Sequence, residues 1–123
     1  MATLNNRVFD NGLSVLDTEA NKILLTSQEA TDYTGANVTF ALGNSTSLSV
    51  AAPSDRTGGG REVVVAAVSD GSVTSTGTAT HYAIVDTVNS RLLATGSLTT
   101  SQSVSSGNTF SLGSFTIGIP DPV

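Results

Sequence analysis

Cysteine and tryptophan are absent from this 123-residue chain, and lysine and histidine occur once each, at Lys22 and His81. Without cysteine there is no thiol nucleophile, no disulfide framework, no iron–sulfur ligation and no zinc knuckle. Basic residues are few and scattered: Arg7, Lys22, Arg56, Arg61 and Arg91, set against ten carboxylates for a net charge of -5. A nucleic-acid partner is therefore not expected, because a grip on phosphates needs clustered Lys and Arg. No apolar run approaches the ~18 residues of a spanning helix, and the opening Met1 to Arg7 has no apolar signal core. The expectation is a soluble chain made in the cytoplasm, with no membrane partner.

Charge of either sign is also scarce, at 12% of the chain against roughly 25% in ordinary globular domains. Hydroxyls take its place, with 17 Ser and 18 Thr. Such side chains cost less to desolvate than ions and lose little rotamer entropy when covered. The composition suits a subunit packed among neighbours, and equally a small β-domain with a plain surface. The length suits one domain that buries ~65 to 70% of its unfolded surface without staples.

Alternation and turn residues dominate the pattern. Leu13 and Val15, then Lys22 to Ser27, flank a polar stretch and read as two strands joined by a turn. Between Tyr33 and Leu42 the spacing fits either a short helix or a strand, and Gly35 weakens a longer helix. Leu48, Val50 and Ala52 alternate as a half-buried strand stopped by Pro53, and Ser54 to Gly60 reads as a flexible loop. Glu62 to Ser69 reads as one central strand, closed by Asp70-Gly71 as a type I′ hairpin turn with Val73 to Thr76 returning. Further strands fall at Thr78 to Thr87, Arg91 to Thr95, Ser97 to Val104 and Phe110 to Ile119, the last with a bulge expected at Gly113. The expected fold is all-β: an antiparallel β-sandwich, jelly-roll-like, with at most one short helix near residues 33–42. Residues 1–10 are expected to form an N-terminal arm and 11–123 a single β-sandwich domain.

Motifs that carry chemistry are weak. Ser, His and Asp are all present, but no Gly-x-Ser-x-Gly elbow exists, and His81 sits inside a strand pattern as a packed or interface histidine would. Most carboxylates fall in turns, where Asp stabilises local backbone. Asp17 and Glu19 lack the ladder of a calcium loop. Thr57 to Arg61 lacks the Lys-Ser/Thr and the following helix of a phosphate loop. Tyr33 and Tyr82 are a poor supply of aromatic platforms for a sugar. No enzyme activity, metal or cofactor is expected. Contact elements are sought instead in the apolar N-terminal residues Leu4, Val8 and Phe9 with Arg7, and in the loop carrying Arg56 and Arg61. Val8 and Phe9 equally suit the start of the first strand.

Three stretches, Arg7 to Ile23, Val64 to Asp86 and Gly107 to Asp121, resemble small structural proteins of tailed bacteriophages and prophages. The resemblance lies in texture across most of the chain and transfers no site residue. It implies a virion component, foremost a head decoration or cement protein that binds the major capsid protein and neighbouring copies of itself as a homo-oligomer on the particle. A tail-associated protein (tube, terminator or adaptor) is the alternative within that class. A glycan- or receptor-binding module is the alternative outside it.

Overall fold

The computed structural model describes residues 6–120, with side chains from Asn11 onward. The fold is mostly antiparallel β, with nine strands among the described residues arranged in a six-stranded and a three-stranded sheet. Packing divides the chain into two compact units.

The first unit combines the N-terminal segment to Glu19 with Ser49–Ala67 and the segment from Gly113. Its sheet has the order β3 (Ser54–Asp55), β4 (Arg61–Val65), β9 (Phe115–Ile119). Val63 pairs with Ile117 and Val65 with Phe115, so these apolar residues share one face. Against β4 packs a helix, α1 (Asn6–Thr18). This corrects the expectation of a strand through Leu13 and Val15, and the boundary expected between residues 10 and 11 falls inside the helix. The physical reason is a helical face: Leu13 and Leu16 stand three apart and both are buried. Gly12 faces Ile119, where a Cβ would make an ordinary 3.7 Å contact with Cδ1. Burial outweighs the poor helix propensity of Asn11-Gly12. At the helix end Thr18 Oγ1 donates to the Ser14 carbonyl at 2.8 Å and Glu19 N to the Val15 carbonyl at 2.9 Å. The strand expected over Leu48 to Ala52 reduces to a single bridge, Val50 to Val65.

The second unit holds Ala20–Leu48 and Val68–Leu112. Its curled sheet runs β7 (Arg91–Val104), β6 (Gly77–Asp86), β1 (Lys22–Thr26), β2 (Ala41–Ser45), β5 (Val68–Val73), β8 (Thr109–Leu112). Strand β1 is buried on both faces, with Ile23, Leu24, Leu25 and Thr26 all at 1% exposure or less. Leu24, Ala83 and Val85 pack with Ala30 and Ala36, and Tyr33, Phe40 and Leu92 close over them. Ala36 belongs to a π-helical turn, Gly35–Thr39, where the spacing had suggested a short helix. Asp32 Oδ1 fixes its start by accepting from Gly35 N. Curling brings the two outer strands together at one corner, where Gln102 Nε2 of β7 donates to the Ser111 carbonyl of β8 at 3.5 Å.

Two strand expectations are corrected here. Glu62 to Ser69 is divided between β4 and β5, which belong to different sheets. Asp70-Gly71 lies inside β5 instead of forming a hairpin turn. Gly71 is required for another reason: a Cβ there would stand 2.3 Å from the Phe110 ring. The ring occupies the space that a side chain would fill. Likewise Arg91 to Thr95 and Ser97 to Val104 join as one strand, and the break at Gly113 separates β8 from β9 in the other sheet.

Candidate functional site

The sequence places candidate contacts in two regions, and they fare differently. Leu4 lies outside the described residues. Arg7, Val8 and Phe9 fall in the first turns of α1, where the backbone alone is described. Arg56 and Arg61 both lie on the β3–β4 hairpin, and both are engaged with it. Arg56 Nη1 donates to the Gly59 carbonyl at 3.0 Å, and its backbone N–H donates to the Gly60 carbonyl. Arg61 Nη1 pairs with Asp55 Oδ1 at 2.7 Å, and Nη2 donates to the Pro53 carbonyl at 3.2 Å. Gly60, at φ +94°, passes so close to Ile119 that no side chain fits. The loop read as flexible is thus a hydrogen-bonded turn, and the Arg56 side chain also lies over Gly118 of β9.

Two carboxylates, Asp86 at the end of β6 and Asp70 inside β5, are tied into local hydrogen bonds. Asp86, 2% exposed, ends β6 and accepts from the backbone N–H groups of Val88 and Asn89 and from Asn89 Nδ2. The Asn89 amide foremost, then the two backbone bonds and Arg91, hold the carboxyl below its ordinary pKa against the opposing effect of desolvation. Asp70 accepts from Ser47 Oγ at 2.6 Å and Ser45 Oγ at 3.1 Å, and these bonds lower its pKa in the same way. Both fasten strands to turns.

A third constellation escaped sequence reasoning. Antiparallel register aligns Thr26 of β1, His81 of β6 and Ser97 of β7 in one cross-strand row. Neighbours in such a row have Cβ atoms ~5 Å apart. His81 Nδ1 is 2.8 Å from Thr80 Oγ1, and its Nε2 is 3.4 Å from Ser97 Oγ. The polarity of this chain is fixed by its far end, because Thr80 Oγ1 donates its one proton to the Ser27 carbonyl at 3.0 Å. Thr80 then accepts from His81, so Nδ1 is a ring nitrogen that carries a hydrogen. In the neutral ring Nε2 is left as an acceptor facing the Ser97 hydroxyl. Beside this row Thr26 Oγ1 and Thr95 Oγ1 are buried without a hydrogen-bond partner among the described residues. Thr95 lies opposite Ala83, two residues from Ser97 in an unbroken stretch of ladder, and so shares its face. Sequence offered a lone strand histidine; only the β6–β7 register reveals its partners.

Among the described residues, no group of three His, Asp or Glu side chains is placed to hold a metal ion, and no helix is long and apolar enough to cross a membrane. Exposed apolar side chains include Val88 at 81% on the β6–β7 turn and Val38 at 68% on the π-helical turn. The chain matches no protein-family model, no curated protein and no solved structure.

Proposed function

We propose that this chain is a structural subunit of a tailed-bacteriophage particle, a head decoration or cement protein that binds the major capsid protein lattice and neighbouring copies of itself. The observation that carries the reading is β7. It is fourteen residues long, it ends the six-stranded sheet, and Arg91 is its one charged residue. Long outer strands in proteins that stay apart usually carry charges or proline that discourage strand addition. Here six of the fourteen residues are Ser or Thr, which form hydrogen bonds across an interface at a low desolvation cost. Each contact would be modest, and repetition over many copies makes the sum large.

Arg61, Asp70 and Asp86 serve turns and strand joints, and hydroxyls are the main polar groups along β7. Assembly on a lattice in the virion uses such a surface without chemistry. Electron cryomicroscopy of the intact particle tests the proposal by counting and locating copies. Hundreds of copies on the icosahedral head support it, stacked rings below the portal transfer the chain to the tail, and absence from the particle overturns it.

A further inference from the structure

We propose that Ser97 is an activated hydroxyl, with His81 as its general base, and that it accepts acyl groups from small activated carboxylic esters. The inference is independent of the virion reading, because it concerns the isolated chain. Two observations carry it. First, the Ser97 hydroxyl lies at His81 Nε2, at the 3.4 Å separation that nucleophile–base pairs commonly show before substrate tightens them. Second, the imidazole is held in the tautomer that a base requires. Its Nδ1–H is anchored on Thr80 Oγ1, itself anchored on the Ser27 carbonyl. A hydroxyl relayed to a carbonyl fills the orienting position that a carboxylate takes in hydrolytic triads.

The step balances without a co-reactant other than the ester. Ser97 Oγ attacks the acyl carbon as its proton passes to His81 Nε2. The bond from acyl carbon to the leaving oxygen then breaks, and that oxygen leaves as the alcohol or phenol with the proton from His81. The product is an ester on Ser97. Solvent can reach it, since Ser97 is exposed.

p-Nitrophenyl acetate tests this on the full chain, with phenolate release followed optically and the acetylated residue located by peptide mass mapping. The expected result is a burst of one phenolate per chain and one acetyl group on Ser97. Ser97→Ala abolishes both, and the exposure of the side chain makes this variant safe for folding. His81→Gln and His81→Asn each slow acetylation by roughly 10²-fold, the usual contribution of a positioned base. Thr80 is a positioning residue, so Thr80→Val slows the burst while Thr80→Ser, which keeps the hydroxyl, restores it. Acetylation confined to Lys22 or the N-terminal amine overturns the proposal. So does an unchanged burst in Ser97→Ala, or a wild-type rate in both His81 variants.

Discussion

Arg61 Nη1 lies 2.7 Å from Asp55 Oδ1, bridging two residues that face each other in the register of the β3–β4 hairpin. The ion pair therefore reinforces a backbone pairing. Asp55 is exposed, so water screens the pair and its contribution is small. Arg61→Ala is expected to lower stability by about 1 kcal/mol or less, read as the midpoint of urea unfolding. Copy number on purified particles is expected to stay unchanged in Arg56→Ala and Arg61→Ala. Loss of the chain from particles carrying either variant would return these arginines to the interface.

Gly71 and Phe110 are register partners in β5 and β8, and the ring fills the space above the glycine. A Cβ at 71 would also have to displace a ring that meets Gly43 in β2. Gly71→Ala is expected to cost about 1 to 3 kcal/mol through overpacking. Phe110→Leu placed in that background should recover part of the loss. Urea midpoints of the two single variants and the double variant measure the coupling, and strict additivity would show that the ring does not cause the strain.

Asp86 and Asp70 have carboxyls held below the ordinary range by hydrogen bonds that favour the charged form. As pH falls through ~3.9 the unfolded chain takes up protons first, so the unfolded state gains. The stabilisation is full above that value and is lost as pH falls through the lower folded pKa. In thermal melts from neutral pH downward, the gap between wild type and Asp86→Asn should stay constant above pH ~4 and close below it. A gap independent of pH across the acid limb would show that the turn needs an acceptor and gains nothing from its charge.

How much of this was legible beforehand varies with the range of the interaction. The antiparallel class, β1, β6 and the turn before β7 followed from alternation and turn residues, because those signals act between near neighbours. Helix α1 was read as strand from Leu13 and Val15, although Phe9, Leu13 and Leu16 also recur at helical spacing. Two or three apolar residues satisfy either period, and contact with β4 decided between them. Asp70-Gly71 misled for a similar reason. A glycine that admits a neighbour's ring and a glycine that turns the chain are identical in sequence. The same limit hid Ser97 from His81, since a pair sixteen residues apart meets only once strand register is fixed.

Thr26 and Thr95 carry a stability cost that the chemistry inferred for Ser97 does not use. Each buries an Oγ1 with no partner among the described residues, which forfeits solvation and gains no bond. Valine replaces that hydroxyl by a methyl of nearly the same shape. Thr26→Val is therefore expected to raise stability by about 1 kcal/mol, seen as a higher urea midpoint with an unchanged slope. Thr95→Val should stabilise similarly and leave acetylation of Ser97 at the wild-type rate, because an Oγ1 closed off from solvent does not reach an ester at the exposed Ser97. If both valine variants are instead destabilised, each hydroxyl has a partner in solution that its surroundings in the protein do not supply.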